Sequence, residues 1–307
     1  MRDPDYVISQ LQNLRIPEVK FLASLLRKLI RKMTHVIAFD LDGTSVEREG
    51  VILPELIVCL SKAFTKGIMI GIVSGRRLED QLRILSTNGL GPSIGFPHFL
   101  IANEYEIHIL KDSGYEPLKE HNEDIRKGWL KVLPIAKEIM TSELSRLTRA
   151  GTSVRRNITD EDASKRCMID LWFEDVQDAV EEEMFLVSSV LDGTIPLTCN
   201  RNHGLVQLLH ARAGKGNTLK AVAGYFKIAP SDVLAIGDSS NDLSMLDGKL
   251  GFRSAAVANA DEDVKRIVMS SGGYIASKPR GAGVIEIIDN LVFNEGDGRS
   301  ESYRECN

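Results

Sequence analysis

No stretch of the 307 residues is apolar enough to span a bilayer. The N-terminal segment, acidic at Asp3 and Asp5, lacks the long apolar run ending in small residues that a secretory signal requires. Membrane insertion and export are therefore not expected. Cysteine is scarce: Cys59, Cys167, Cys199 and Cys306 show no paired metal-ligand spacing, and a reducing cytoplasm is the simpler expectation. An excess of one charge is also lacking. Lys+Arg number 38 and Asp+Glu 43, a net charge of −5 that implies no broad basic surface for nucleic acid. There is no solenoid repeat, no Gly-x-Gly-x-x-Gly element after a strand and no lysine-bearing P-loop, because Gly214-Lys215-Gly216 lacks the upstream glycine spacing and the adjacent Ser or Thr. Nucleotide hydrolysis is disfavoured accordingly.

What the chain does have is ordinary globular bulk, 43% hydrophobic and long enough for about two domains. Into it is set a series of polar segments at the ends of short apolar runs. Val36, Ile37 and Ala38 lead into Phe39, Asp40, Leu41, Asp42, Gly43 and Thr44, so two carboxylates emerge two residues apart where a buried strand runs out. The glycine lets the chain turn as it leaves, and both acids can converge on one pocket. An Asp-x-Asp-Gly stretch also marks ordinary turns and the start of a calcium loop. The calcium reading fails because no later acidic ligand stands at its required place and an apolar strand, not a helix, precedes the motif.

Three further pieces suit phosphoryl transfer. The run from Ile68 to Val73 reads as a second buried strand ending in Ser74, Gly75 and Arg76 before a helical stretch from Leu78 to Leu85; a hydroxyl, a glycine and free helix-start amides form a phosphate cradle, although a plain helix cap reads the same. Gly214, Lys215, Gly216 and Asn217 open a helix running to Tyr225, where the lysine can hold a phosphate oxygen or simply face solvent. Val233 to Ile236 forms another strand, ending in Gly237, Asp238, Ser239, Ser240, Asn241 and Asp242, which suits a hard cation with oxygen ligands or an ordinary loop. All four lie at strand ends, where an open parallel sheet builds its ligand crevice.

Together these residues resemble the four motifs of the haloacid dehalogenase superfamily of phosphohydrolases, over a span from about His35 to Leu291. The resemblance implies an α/β fold, a doubly wound Rossmann-like parallel-sheet core with an inserted α+β cap. It implies Asp40 as the nucleophile that becomes an aspartyl-phosphate, and Asp42 as the acid that protonates the leaving oxygen and then activates water. Ser74, Gly75 and Lys215 become phosphate ligands. Mg2+ is the implied cofactor, held by Asp40, Asp238 and the Asp42 backbone carbonyl, with Thr44, Asn241 and Asp242 in support.

Far more residues separate the second and third motifs than one helix and strand require. The expected division is a first core part over 34–104, a cap over 105–203 and a second core part over 204–293. The cap begins with alternating Ile107 and Ile109 and a turn at Asp112-Ser113-Gly114, and continues through a helical region from Trp129 to Leu147, a strand from Cys167 to Phe173 and a helix from Ala179 to Leu191. It resembles the αβ caps of sucrose-phosphate-phosphatase-like and Cof-type sugar phosphatases, which implies a sugar phosphate or similar polyol as the small-molecule substrate. Arg76, Glu104, Asn202 and His203 are candidates for reading it, each also compatible with a plain surface loop. A phosphomutase of the same fold is the nearest chemical alternative, and a silent phosphosugar-binding or scaffold protein the alternative from another class.

The termini stand apart. In 1–33, apolar Phe21, Leu22, Leu25, Leu26 and Leu29 recur at helical spacing among Lys20, Arg27, Lys28, Arg31 and Lys32, an amphipathic basic helix. It can pack on its own domain, or serve as a partner, dimer or membrane-surface contact. The polar stretch 294–307 is expected to be disordered.

Overall fold

A computed structural model describes residues 34–47, 50–191 and 193–294. The expected basic helix before Thr34, Cys306 and nearly all of the polar tail lie outside the described residues. Val36 to Phe39 form the fully buried strand β1 (Val36–Phe39), whose side chains alternate between two cores: Ile37 and Phe39 on one face, Val36 and Ala38 on the other. A strand buried on both faces needs such an unbroken apolar run.

β1 lies between β2 (Met69–Val73) and β10 (Val233–Gly237), in parallel with both. Beyond β2 come β3 (Phe99–Ala102), also parallel, and the antiparallel hairpin β4 (Glu106–Lys111) and β5 (Gly114–Pro117). Beyond β10 come β11 (Arg253–Ala256) and β12 (Tyr274–Ile275), and the eight strands run β12-β11-β10-β1-β2-β3-β4-β5. Helices α1 (Pro54–Thr65), α2 (Leu78–Thr87) and α9 (Arg280–Ile288) cover the Ile37 face. The Val36 face is covered by α6 (Lys215–Tyr225), α7 (Leu243–Leu246) and α8 (Glu262–Ser270). The sheet is thus doubly wound, and the strand order reverses between β1 and β10, the place where such sheets open their crevice.

A second sheet, ordered β6-β7-β9-β8, is built from β6 (Val154–Arg156), β7 (Met168–Phe173), β8 (Leu197–Asn202) and β9 (Leu205–His210). It packs with α3 (Lys119–Ala150), α4 (Asp160–Arg166) and α5 (Val176–Phe185) around Trp129, Met140, Leu171 and Leu208. The Trp129 indole donates to the Ala163 carbonyl at 2.9 Å, pinning α4 to α3.

The sheets divide the chain at other points than the expected 104/105 and 203/204. The hairpin β4–β5 extends the larger sheet, and β9 belongs to the smaller one, which therefore closes after residue 203. Ile107 and Ile109 alternate because they share a core with Phe99 and Ile101. Alternation announces a strand with one buried face; it does not say which sheet accepts the strand.

Gly71 on β2 sets one tolerance of the larger sheet. A Cβ there would lie 1.9 Å from the fully buried ring of Phe99. Gly71→Ala is expected to destabilise the fold by about 1–3 kcal/mol through overpacking, read as a lower urea midpoint with unchanged slope; an unshifted midpoint contradicts this packing.

Candidate active site

Asp40 follows β1 directly and is held there by its backbone: its amide donates to the Ile236 carbonyl at 3.1 Å, and its own carbonyl accepts from the Ser45 hydroxyl at 2.7 Å. The neighbouring strand β10 delivers Asp238, and β2 delivers Ser74. Strand register therefore brings three motifs that are distant in sequence to one edge of the sheet. The fourth piece, Lys215, is the first residue of α6, after Gly214 at φ 90°.

Lys215 is 1% exposed and lies between two carboxylates, 2.7 Å from Asp242 Oδ1 and 3.0 Å from Asp40 Oδ1. Burial works against its charge, but Asp242 and Asp40 outweigh burial and hold the ammonium well above the ordinary lysine range. Asp242 has both oxygens engaged, since Oδ2 accepts from the amides of Asp238 at 2.9 Å and Ser239 at 3.0 Å. Asp40 is different: its Oδ2 has no hydrogen bond among the described residues. Burial raises its pKa, and although Lys215 pulls it back, the fields of Asp242 and Asp238 leave it well above the usual carboxylate range.

Asp238 is pushed up to about 7, chiefly by burial and then by Asp242, against the pull of a 2.5 Å bond from the Thr44 hydroxyl and of Lys215. One oxygen from each of Asp40, Asp238 and Asp242 lies within 4.8 Å of the others. With Asp242 already engaged, Asp40 and Asp238 are the carboxylates with capacity to spare. Two buried, mutually repelling oxygen donors suit a hard divalent cation. Gly43, at φ 78°, clears the way for them, because a Cβ there would stand 2.1 Å from Asp238 Oδ2.

Asp42 does not lie free over this cluster. Its half-exposed carboxylate accepts two bonds from Arg76, Nε to Oδ2 at 2.7 Å and Nη2 to Oδ1 at 2.6 Å. Arg76, expected as a substrate reader, thus clamps Asp42. Ser74 is buried beside them, its hydroxyl accepting from the Arg76 amide at 3.1 Å. Glu104, buried and at φ 62°, accepts from Asn241 at 2.9 Å and Asn200 at 2.6 Å, and burial raises its pKa. Together with Asn103 at φ 48° it forms a pair of left-handed residues beside the cluster, a backbone state that collects at functional sites.

A cavity of about 290 Å³ is lined by Asp40, Asp42, Ser74, Gly75, Lys215 and Asn241 from the larger sheet. The smaller sheet and its helices add Arg166, Asn202, Leu205 and Gln207. Sequence reasoning missed Arg166 and Gln207, since a basic residue ending a short helix and an amide in an apolar strand carry no local mark. His203 is not brought in. It is exposed in the β8–β9 turn, where its carbonyl accepts from Arg201, and Arg201 in turn bridges to the Ser240 hydroxyl at 2.7 Å.

A sequence model described as haloacid dehalogenase-like hydrolase matches residues 146–287, which include Lys215 and the Asp238–Asp242 loop. Solved structures extend that likeness to the whole fold. The sucrose-phosphatase of Synechocystis sp. PCC6803 superposes with a TM-score of 0.61 at 16% identity, covering 84% of this chain and 98% of that one. Over residues 146–287 the chain is thus similar to haloacid dehalogenase-like hydrolases, and its whole fold is similar to that of the sucrose-phosphatase. Among curated relatives, a phosphoglycolate phosphatase of Staphylothermus marinus is 24% identical over 270 residues, 85% of this chain and 98% of that protein. The 5-amino-6-(5-phospho-D-ribitylamino)uracil phosphatase YwtE of Bacillus subtilis is 26% identical, covering 84% and 98%. Both of these relatives carry phosphatase names.

Gly43→Ala is expected to displace the Asp238 carboxylate and lower phosphatase turnover about a hundredfold while far-UV circular dichroism stays unchanged. Undiminished turnover contradicts the role of this close approach.

Proposed function

We propose that the protein is a magnesium-dependent phosphatase that cleaves phosphate monoesters of a sugar or related polyol through an aspartyl-phosphate at Asp40. The observation that carries this reading is the buried Lys215 between Asp40 and Asp242, with Asp238 beside them: a cation that fixes Asp40 by one oxygen and leaves the other for phosphorus. The small, polar cavity fits a small polar ester, and no helix of the described residues is long and apolar enough to cross a membrane.

In the first step the free oxygen of Asp40 attacks phosphorus and the bond to the leaving alcohol breaks, its oxygen taking a proton from Asp42. In the second, water gives a proton to Asp42 and attacks the same phosphorus, breaking its bond to Asp40 and releasing phosphate. Asp42 reaches the reacting oxygens once Arg76 gives up part of its clamp, and the phosphate offers Arg76 a replacement partner. Lys215, the Ser74 hydroxyl and the amides after it neutralise the phosphate, so that a carboxylate can approach a dianion. A divalent ion held by Asp40, Asp238 and the Asp42 carbonyl would supply further charge neutralisation there. The unit built on the smaller sheet acts as a cap that excludes water from the site.

Phosphate release from para-nitrophenyl phosphate, with magnesium and with EDTA, tests the reading. Wild type should turn over only with the metal, Asp40→Asn should show no turnover, and Asp42→Asn should be slowed about 10²- to 10⁴-fold. Full activity of Asp40→Asn contradicts the proposal.

The metal has a second readout in stability. Because the folded-state pKa of Asp238 is raised, its contribution to stability is present below about 3.8 and is lost as pH rises toward about 7. A cation on Asp238 offsets that loss. Magnesium should therefore raise Tm more at pH 8 than at pH 5.5, and an equal gain at both pH values contradicts the assignment.

A further inference from the structure

Four cations line the cavity: Arg76, Arg77, Arg166 and Lys215. Three are committed to carboxylates, Arg76 to Asp42, Arg77 to Asp162 at 3.0 Å, and Lys215 to Asp40 and Asp242. Arg166 makes no ion pair among the described residues. Its contacts are with neutral oxygens, from Nε to Asn103 Oδ1 at 3.3 Å and from Nη2 to the Gly75 carbonyl at 3.5 Å, both long for a guanidinium bond. Burial and the neighbouring Arg77 oppose its charge and outweigh the fields of Asp170, Asp162 and Glu104, none of which comes within ion-pair distance.

The side chain is nevertheless held in place. Arg166 ends α4, which is pinned at the Ala163 carbonyl by Trp129 and at the Lys165 carbonyl by the Tyr105 hydroxyl at 3.2 Å. Tyr105 follows β3 in the larger sheet's half of the chain, so this bond ties the end of α4 to the loop beside the cluster. A half-buried guanidinium set over a polar cavity without an acidic partner matches an anion brought by the ligand. The scissile phosphate has its own neutralising groups in Lys215, Arg76 and the amides after Ser74. Arg166 meets Gly75 at the carbonyl, the side a phosphate cradle does not use.

We propose that Arg166 is a specificity-determining residue that binds a carboxylate on the substrate, which makes the preferred substrate a phosphorylated sugar acid or hydroxy acid. The inference rests on the phosphatase reading above and narrows its substrate class. Asn202 and Gln207, from the same unit, line the same cavity and suit the hydroxyls between the two anionic ends.

The test uses esters that differ only in a carboxylate against a hydroxymethyl group: 3-phosphoglycerate with glycerol 3-phosphate, and 6-phosphogluconate with sorbitol 6-phosphate. Wild type should favour the acid in at least one pair by about tenfold or more in kcat/KM, through KM. In Arg166→Gln that ratio should fall to near one, and Arg166→Lys should restore part of it. No preference in either pair overturns the inference. So does an equal loss on both members of a pair in Arg166→Gln, which would place Arg166 on the scissile phosphate. Para-nitrophenyl phosphate separates the two levels: its hydrolysis without acid preference removes only the carboxylate site, and its failure with magnesium removes the phosphatase reading as well.

Discussion

A buried lysine shared by two aspartates is the constraint on which the rest of the site depends. Lys215 has no exposed surface to spare, so its charge survives only because Asp40 and Asp242 face it. Removing one partner from such a buried group typically costs about 3–5 kcal/mol, because an uncompensated charge remains behind. Each aspartate is therefore bound to the lysine, and the lysine's place at the start of α6 sets where Asp40, the proposed nucleophile, stands. Asp242 uses its second oxygen to fold the loop after β10 over the amides of Asp238 and Ser239, so the same cation that orients Asp40 also orients the second acid of the candidate metal pair.

The sheet supplies the geometry and the loops supply the chemistry. β1 and β10 are neighbours at the point where strand order reverses, and their parallel register aligns Asp40 with the loop that carries Asp238. Two glycines in this crevice leave no room for a larger residue. Gly43 gives room to Asp238, and a Cβ on Gly237 would stand 2.5 Å from the Asp242 carboxylate. Across the crevice, Asn200 on Glu104, Arg201 on Ser240 and Arg77 on Asp162 join the smaller unit to the loops of the candidate site. Such polar bonds exchange with water at modest cost, which is the property the proposed cap requires.

Much of this was legible in the sequence because strand ends announce themselves. Apolar runs too short for helices, each broken by Asp, Ser or Gly, gave β1, β2 and β10 to within a residue or two, and with them Asp40, Ser74 and Asp238. Lys215 was legible from the glycines around it. What was not legible depends on pairing between distant segments. The membership of β4, β5 and β9 is decided by which sheet they complete, not by their own alternation. The clamp of Arg76 on Asp42 and the approach of Arg166 to Gly75 are made across the fold by residues whose local spacing is that of ordinary surface arginines. His203 was marked by its chemistry alone, and the β8–β9 turn carries it to solvent.

The central claim is that Asp40 becomes covalently esterified by phosphate. Acid quenching during turnover, reduction with borohydride and peptide mass spectrometry test it most directly, because reduction converts an acyl-phosphate of aspartate to homoserine and leaves free carboxylates untouched. The account predicts homoserine at position 40 and at no other aspartate, dependent on substrate. Reduction at another acid, or an unmodified Asp40 while phosphate is being released, would contradict it.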